Sequence, residues 1–474
     1  MKFNLFSILI LTGVLISCGK STEVTIVNDS SGILPGDSDQ TTRSETIFQD
    51  DFSVLKIGEA NPIKTLDPLF ATTSSEYRVH TLIYDGLTKI TEKNSVEPSI
   101  AKKWTVSRDS LRYTFTIREN VFYHNNSRFP SGIGRQVTPK DVVSNFERMA
   151  SILVPDNAAD MFSHIRGFNA YHSEQTYIKI PSNRTIKSIE GISVTNDSTL
   201  VFLLSKKDPE FLRKLAHPLA SVYPKESLPA DKSPIYEAIG TGGYYLAQRK
   251  NNVLILASND DYYQEQNVPT RLDITHGKKE SEIYQDFAKG ELDVLIEPGP
   301  GTILQVTDPE GSIDPIFESV FAVDQAQVKN TITFYYNPAS NNQSIFSYLV
   351  SQSNSFLNFE NSLGEFKTNS NQTFSDSLEK TTVHIAYTDN PTDLYLISAI
   401  AEKLTSVGVN SVMNSSYAVT EDVSFSTIYF PSSKPAIVWE FPVYILTKPG
   451  ISGITFSQEP WNISFENVII NKNN

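Results

Sequence analysis

Cys18 is the residue whose surroundings point most directly to covalent chemistry. Lys2 precedes an apolar run over residues 3–16, and Leu15-Ile16-Ser17-Cys18 matches the bacterial lipobox. In that signal the chain is cleaved before the cysteine, whose thiol is then acylated. The run is shorter than a comfortable membrane span, as is typical of a secretory signal. The sequence therefore predicts a signal peptide over residues 1–17 and lipidation at Cys18. The alternative is an ordinary signal peptide with a chance cysteine.

Patterns that would indicate an enzyme are absent from the sequence. It has no G-x-S-x-G elbow, no H-E-x-x-H pair and no phosphate loop, since the glycine-rich segment that starts at Gly240 lacks the required lysine. The seven histidines are scattered, and none lies four residues from another, the spacing that places two metal ligands on one helix face. We therefore expect no catalytic residues, no cofactor and no metal. An envelope enzyme whose site is assembled in space stays open, because such sites leave no spacing pattern.

Composition and charge bound the class of protein. The 474 residues are 39% hydrophobic and 20% charged, which is typical of a soluble globular protein with a large core. The formal net charge of −14 argues against nucleic-acid binding, which requires a basic surface. Because the chain has one cysteine, no intrachain disulfide can form, and stability must come from buried apolar area.

The elements that must position any site begin after residue 50. Residues 18–50 are rich in Ser, Thr, Asp and Gly, a composition that predicts a flexible tether behind the lipid anchor. From Phe52 onward, patterns of period 2 and period 3.6 alternate, which predicts an α/β fold with α+β features. We expect strands at residues 52–58, 104–107, 111–117, 186–194, 199–204, 253–257, 382–387 and 409–413, and helical segments at residues 77–87, 138–149, 211–215 and 391–407. The last helix and its two flanking strands form a predicted right-handed βαβ unit.

A series of short motifs carries a family resemblance. They include Leu66-Asp-Pro68, Leu82-Ile-Tyr-Asp-Gly-Leu-Thr88, Val96-Glu-Pro-Ser-Ile-Ala101, Val121-Phe-Tyr-His124, the run from Val137 to Arg148, Tyr223-Pro-Lys225 and the glycine-rich segment at Gly240. In this order and spacing they resemble the extracellular solute-binding proteins of the peptide/nickel class, the dipeptide and oligopeptide receptors of ABC importers. The resemblance extends from residue 66 to residue 295, about half of the chain.

The resemblance implies a two-lobed, periplasmic-binding-protein-like fold of the large peptide-binding type, in which the lobes close over a ligand. We expect a first lobe over residues 51–298, a second lobe over residues 299–434 and a return segment over residues 435–474 that completes the first lobe. The sequence shows no counterpart of the family's usual helix motif after Asn337 or of its acidic, aromatic segment after the βαβ unit. The second lobe is therefore expected to be reduced. Preference for free peptides is open, because the missing segment supplies the aspartate that pairs with a peptide's amino terminus.

The resemblance also suggests which residues line the ligand cleft. The substrate-binding candidates are Glu76, Tyr77, Phe162, His164, His217, Tyr244, Tyr336, Asn337 and Trp439. For each of them, packing in the core or at the surface is the alternative, since aromatic residues are as common in cores as in clefts.

The function implied is capture of an extracytoplasmic solute, small and peptide-like, for an ABC permease. The expected protein is a monomeric lipoprotein, held by its lipid to a membrane in the periplasm or at the cell surface. The alternative is a binding or signalling envelope lipoprotein that retains the fold but has lost the usual peptide site and transport.

Overall fold

The structure is a computed structural model of the chain. It describes residues 54–151, 156–229, 234–307, 313–340, 342–351, 365–368, 382–388, 390–415, 423–427 and 434–471. The chain divides into two units, Met1–Asp51 and Phe52–Asn474. The predicted signal peptide, the lipidation site at Cys18 and the predicted tether lie outside the described residues.

Strands occur throughout the described chain and are numbered here in chain order. The first group is β1 (Val54–Glu59), β2 (Thr88–Ile90), β3 (Val96–Pro98), β4 (Ala101–Val106), β5 (Arg112–Ile117), β6 (Ile192–Asn196), β7 (Thr199–Leu203), β8 (Tyr244–Lys250), β9 (Val253–Ser258), β10 (Arg271–Thr275) and β11 (Val294–Ile296). The second group is β12 (Ala322–Tyr336), β13 (Glu365–Thr368), β14 (Thr382–Ala386), β15 (Asn410–Asn414), β16 (Phe425–Ser426), β17 (Lys434–Thr447), β18 (Ile451–Ser452), β19 (Thr455–Phe456), β20 (Ile463–Ser464) and β21 (Ile469–Ile470).

Helices connect and cover these strands. The α-helices are α1 (Ser74–Ile83), α2 (Pro139–Met149), α3 (Asp156–Met161), α4 (Phe168–Tyr177), α5 (Phe211–Lys214), α6 (Glu280–Ala288), α7 (Pro300–Val306), α8 (Gln343–Ser351) and α9 (Pro391–Ser406). Within the described part of the chain, no helix has both the length and the apolar composition needed to cross a membrane.

One mixed sheet of eleven strands organises the molecule. Its order is β15-β14-β16-β12-β17-β11-β1-β10-β9-β8, and β13 pairs with β17 beside this path. Strand β1 is parallel to both of its neighbours, β10 and β11. Its residues are buried almost throughout, as in a strand that is covered on both faces. Strands β8 and β9 extend that edge in the antiparallel sense. The mixture confirms the predicted α/β class with α+β features.

A second sheet lies in the first half of the chain. Strands β4, β5, β7 and β6 form an antiparallel sheet in that order. Tyr113, Phe115 and Ile117 on β5 are all buried, as their alternating spacing predicts. This sheet supports a core rich in aromatic side chains, in which the ring of Phe146 lies 5.0 Å from that of Phe162 and 5.2 Å from that of Phe202.

Two long antiparallel strands, β12 and β17, join two separate cores. One core contains Tyr444 and Leu446 near the end of β17. The other contains Trp439 from β17 together with Phe334 and Tyr336 from β12. The pairing of the strands shifts register between Gln325 and Lys329, between these cores. The two strands are therefore shared by both halves of the sheet.

The predicted βαβ unit is confirmed. Strands β14 and β15 are parallel, and α9 connects them. Asn390 caps α9 by accepting the N–H of Asp393 at 2.8 Å. Gly408 follows the helix with φ 82°, a conformation that residues with a side chain rarely adopt.

The predicted bounds of the first helix and of one strand are wrong, and a helix, α8, follows Asn337 although none was expected there. Helix α1 ends at Ile83 rather than at residue 87. Helix α1 begins at Ser74 rather than Tyr77, because the side chain of Thr73 accepts the N–H of Glu76 while the Glu76 carboxylate accepts the N–H of Thr73. The strand expected from residue 186 begins only at Ile192. The carboxylate of Glu174 accepts the N–H groups of Thr185 and Ile186, which ties this segment to α4 instead of to the sheet.

Candidate functional site

Glu76 is the third residue of α1, and its side chain turns back to the loop that precedes the helix. Glu76 is 1% exposed. It accepts the N–H groups of Lys64 at 2.9 Å, Thr65 at 3.2 Å, Thr72 at 2.8 Å and Thr73 at 3.2 Å. These four donors occupy the acceptor sites of the carboxylate, so that Glu76 holds the loop in place. Its predicted contact with a ligand stays a prediction.

Tyr77 and His217 come together, as neighbours in one aromatic group with Trp461. The ring centroids of Tyr77 and His217 are 4.9 Å apart, and those of His217 and Trp461 are 5.1 Å apart, both edge to face. The Tyr77 hydroxyl donates to the carbonyl oxygen of Ala71 at 3.0 Å. Burial, together with the charge of Glu76, raises the pKa of Tyr77 to about 12.

His217 has a defined protonation state and tautomer. Burial lowers its pKa to about 4, so that the imidazole is neutral at pH 7. Its Nδ1 accepts the N–H of Leu219 at 3.1 Å. In a neutral imidazole one nitrogen accepts and the other donates, so Nε2 carries the hydrogen.

A cavity of about 150 Å³ opens beside this aromatic group. Its walls include the side chains of Ile90, Met161, Arg213, Lys214, His217 and Trp461. Ile90 comes from β2, Met161 ends α3, Arg213 and Lys214 end α5, and Trp461 follows β19. Elements far apart in the sequence therefore build one concave site.

The cations of this cavity are each paired with a carboxylate. Arg213 Nη2 lies 2.9 Å from Glu459, and Lys214 Nζ lies 2.6 Å from Asp208. Nδ1 of the predicted residue His164 lies 3.2 Å from the same carboxylate of Asp208. His164 therefore does not line the cavity itself. It contacts Asp208, which in turn pairs with Lys214 in the cavity wall.

Phe162 and Tyr244 lie in cores. Phe162 is 1% exposed and packs among the aromatic rings around β5. Tyr244 is 2% exposed, and its hydroxyl donates to the carbonyl oxygen of Pro269 at 2.8 Å. Burial raises the pKa of this hydroxyl.

Tyr336 and Asn337 from the predicted second lobe, and Trp439 from the predicted return segment, lie at or beside a different core. Trp439 is fully buried there. The ring of Tyr336 stacks on that of Phe346 at 4.5 Å. Asn337 lies at the end of β12, where its side-chain amide donates to the carbonyl oxygen of Val423 at 3.0 Å. The predicted site residues therefore fall into one group around His217 and one group around Trp439, with Phe162 and Tyr244 in neither.

The glycine-rich segment packs against protein backbone. A side chain at Gly240 would place its Cβ 1.9 Å from the carbonyl oxygen of Ile83, and one at Gly242 would reach 2.4 Å from that of Leu82. His124 fixes the segment, since its Nε2 donates to the carbonyl oxygen of Gly242 at 2.9 Å. These contacts indicate that the glycines allow close approach to neighbouring backbone.

A buried charged cluster lies at the carboxyl ends of β1 and β11. Arg78 in α1 pairs with Glu59 through two hydrogen bonds, Nε at 2.8 Å and Nη2 at 2.6 Å, and with Glu297 at 2.6 Å. Its Nη1 donates to the carbonyl oxygen of Pro460, the residue before Trp461, at 2.9 Å. All three charged side chains are less than 10% exposed.

Burial acts to lower the pKa of Arg78, but the carboxylates of Glu59 and Glu297 outweigh burial and raise it. Arg78 is therefore charged at any pH at which the protein is folded. Among the described residues, no group of three or more His, Cys, Asp or Glu side chains could hold a metal ion.

Sequence reasoning missed Trp461, Arg213 and the Arg78 cluster. One signal could have found Trp461, because the chain has three tryptophans and this one stands in a polar segment, SQEPWN. Another could have found Arg78, a cation among the apolar residues of a predicted helix. Nothing in the local sequence pairs Arg78 with Glu297, which lies 219 residues away.

Known proteins resemble this chain over about half of its length. The dipeptide-binding protein DppE of Bacillus subtilis is 26% identical over 253 residues, which are 52% of this chain and 43% of that protein. The dipeptide-binding protein of Escherichia coli is 28% identical over 222 residues, 44% of this chain and 38% of that protein. Heme-binding protein A of Haemophilus influenzae is 25% identical over 48% of this chain and 41% of that protein. Each match covers less than half of the relative's length.

Solved structures share the fold over most of the chain. The substrate-binding domain of an oligopeptide ABC transporter from Bacillus anthracis has a TM-score of 0.67 at 14% identity, covering 89% of this chain and 99% of that one. The periplasmic binding protein DppA of Helicobacter pylori, in complex with the peptide STSA, has a TM-score of 0.65 at 15% identity, covering 88% and 98%. These similarities confirm the predicted fold of periplasmic peptide-binding proteins.

A family match joins these findings to the motifs of the sequence. Residues 95–353, more than half of the chain, match the middle region of the bacterial extracellular solute-binding proteins, family 5. The matched segment includes the four-stranded sheet, the glycine-rich segment and the residues from α5 that wall the cavity. The chain therefore belongs to the bacterial extracellular solute-binding proteins of family 5.

Proposed function

We propose that this protein captures a small, peptide-like solute outside the cytoplasm and delivers it to an ABC permease. Membership of family 5 is the observation that carries this proposal. Relatives named for binding dipeptides, and a peptide-bound structure of the same fold, support a peptide-like ligand. The heme-binding relative and a structural neighbour in complex with agropinic acid make the identity of the solute a question for experiment.

Capture requires no covalent chemistry. Affinity in such a site comes from apolar surface that the ligand and the protein remove from water, with a few polar groups fixing the orientation. We propose that the first lobe covers residues 51–298, that a reduced second lobe covers residues 299–434, and that residues 435–474 return to the first lobe. The shared strands β12 and β17 are then the connection about which the lobes would close.

The site would draw on both groups of predicted residues. Tyr77, His164 and His217 lie at or directly behind the cavity near Trp461. Tyr336 and Asn337 would contribute from the second lobe and Trp439 from the return segment, in part by stabilising the surface that meets the ligand. Glu76 would act by holding the loop next to Tyr77.

A ligand screen tests capture. The full-length chain is melted with and without mixtures of dipeptides and tripeptides, with glutathione, heme and nickel as further arms. A ligand at a hundred times its Kd stabilises the native state by about 2.7 kcal/mol, which is a readily measured rise in Tm. If no arm raises Tm, capture by this chain is wrong. Binding without uptake in cells that carry a candidate permease would favour the signalling alternative over transport.

Lipid anchoring is tested separately. The Cys18→Ser variant cannot be acylated at that position, so it should leave the membrane fraction, whereas the matched Ser30→Ala variant should stay in it. Metabolic labelling with an alkyne fatty acid gives the direct readout. Label on the Cys18→Ser variant would contradict lipidation at Cys18.

A further inference from the structure

The cavity beside His217 is about as large as one amino-acid side chain. A cavity of about 150 Å³ can hold a benzene-sized molecule, whereas pockets that enclose complete small-molecule ligands measure roughly 300–1,000 Å³. It therefore fits one side chain of a larger ligand.

The uncharged part of the wall is apolar and aromatic. Trp461 and Ile90 are each 7% exposed, and Met161 is half-buried. His217 adds an aromatic ring whose edge meets Trp461. An apolar group entering the cavity would be removed from water on several sides, which is favourable in proportion to the area buried.

The charged part of the wall offers no free cation to a ligand. Arg213 holds Glu459 through its Nε at 3.1 Å and Nη2 at 2.9 Å, and Lys214 holds the buried carboxylate of Asp208 at 2.6 Å. With Glu210 exposed at the rim, three carboxylates face two cations. A ligand carboxylate would have to displace Glu459 or Asp208, and a ligand cation would compete with Arg213 or Lys214 for its carboxylate.

His217 supplies a directed donor. Its Nδ1 already accepts the N–H of Leu219, so the hydrogen is on Nε2. Among the described residues, none accepts a hydrogen bond from Nε2. This N–H can therefore donate to a ligand carbonyl oxygen that lies beside Nε2 in the plane of the ring.

From these contacts we infer that the cavity of Ile90, Met161, His217 and Trp461 is a subsite for one uncharged apolar or aromatic side chain of a peptide-like ligand, next to a carbonyl oxygen that accepts from His217 Nε2. The inference rests on the proposed function for the nature of the whole ligand. The subsite itself rests on the size, the lining and the paired charges of the cavity.

Three small probes that share the same blocked amino-acid backbone and differ only in the side chain test this subsite directly. N-acetyl-phenylalanine amide, N-acetyl-aspartic acid amide and N-acetyl-lysine amide are titrated into the full-length chain carrying ¹⁵N-labelled tryptophan. The indole N–H signals of Trp104, Trp439 and Trp461 are assigned by single Trp→Phe variants. The phenylalanine probe should move the Trp461 signal in a saturable way and leave the Trp104 signal unchanged. The charged probes should bind at least tenfold more weakly.

A variant separates the donor from the packing. His217→Phe keeps an aromatic ring between Tyr77 and Trp461 and removes the N–H. It should weaken binding of the phenylalanine probe about fivefold, the effect of one lost hydrogen bond. His172→Phe on α4 is the matched control and should bind like the wild type. Equal binding of the probe by the His217→Phe variant would overturn the role of Nε2.

Failure of the subsite and failure of the proposed function have different signatures. If peptides raise Tm but no probe moves the Trp461 signal, or the charged probes move it as strongly as the neutral one, the subsite is wrong and capture stands. If no peptide raises Tm while the phenylalanine probe shifts Trp461, the subsite stands and the peptide-capture proposal is wrong.

Discussion

Nη2 of Arg78 lies 2.6 Å from the carboxylate of Glu297, although 219 residues separate the two in the sequence. Glu297 directly follows β11 and has φ 52°, a conformation that is rare for a residue with a side chain. The ion pair thus fixes the point at which the chain leaves β11. The same guanidinium holds Glu59 at the end of β1 and the carbonyl oxygen of Pro460 beside the cavity.

Replacing Arg78 should strongly destabilise the protein. Arg78→Met leaves the carboxylates of Glu59 and Glu297 buried without their cation, and breaking a buried pair in this way costs about 3–5 kcal/mol. Urea unfolding measures the loss. The control is Arg128→Met, whose pair with Glu237 is exposed and should contribute less than about 1 kcal/mol. Equal losses for the two variants would contradict a structural role for the cluster.

Acid should destabilise the fold through its buried histidines. Burial lowers the pKa of His80 and of His124 to about 4, and both are less than 10% exposed. Below pH 6.5 the unfolded chain binds protons that the folded chain does not, so stability falls as the pH drops from about 6.5 to about 4. Each fully buried histidine contributes on the order of 2 kcal/mol to the loss at pH 5.

Carboxyl groups titrate in the same pH range, and some of them change the stability in the opposite direction. A variant is therefore needed to isolate the effect of one histidine. Burial raises the pKa of Asp85 to about 6, although hydrogen bonds from Thr241 and Tyr262 act to lower it. Because the folded state then binds a proton more readily than the unfolded state, Asp85 adds stability as the pH falls. His124→Gln removes one titrating group. Between pH 7.5 and pH 5 its urea midpoint should fall less than that of the wild type. A parallel fall in both proteins would show that His124 does not titrate as its burial predicts.

Gly240 should not tolerate a methyl group. In Gly240→Ala the added Cβ would lie 1.9 Å from the carbonyl oxygen of Ile83, so backbone must shift at an estimated cost of about 1–3 kcal/mol. Gly301→Ala is the matched control, since its Cβ meets only the ring of Tyr395 at 3.8 Å, an ordinary contact. Thermal melts of the two variants should differ by several degrees. A stable Gly240→Ala protein would contradict the close packing of this segment.

Glu76 gives a test that separates support from ligand contact. Glu76→Gln keeps the shape but replaces one acceptor oxygen by a donor group, which would face backbone N–H groups of the loop. The expected loss is about 1–3 kcal/mol in urea unfolding. Thr105→Val on β4 is a control without these contacts. Unchanged stability combined with lost ligand binding would instead assign Glu76 to the ligand site.

Local patterns were enough to predict the elements whose partners are close in sequence. The period-2 face of β5 and the helix between Asn390 and Gly408 follow from side-chain spacing and end signals alone. The segment after Ile186 was mispredicted because its apolar residues suit a strand, while Glu174 on α4 occupies its N–H groups. A tertiary contact of this kind leaves no trace in the local pattern.

The site was predicted less completely than the fold, for the same reason. Tyr77 and His217 were identified by position within the family pattern, and they do meet. Their third partner, Trp461, lies more than 200 residues further along the chain. The carbonyl oxygen of the preceding residue, Pro460, accepts a hydrogen bond from Arg78. Trp461 reaches these residues because β17, which precedes it in the chain, pairs beside β11. The order of strands in a sheet depends on contacts between distant parts of the chain, so local patterns do not predict it.

The position of β17 has a consequence for how the protein is made. Strand β11 pairs with a partner roughly 150 residues further along, and contacts this distant in sequence form slowly. Because a chain is synthesised amino end first, one edge of β11 stays exposed until β17 has been made. Exposed strand edges promote aggregation, so the newly made chain should depend on chaperones that hold the unfinished sheet until its last strands are available.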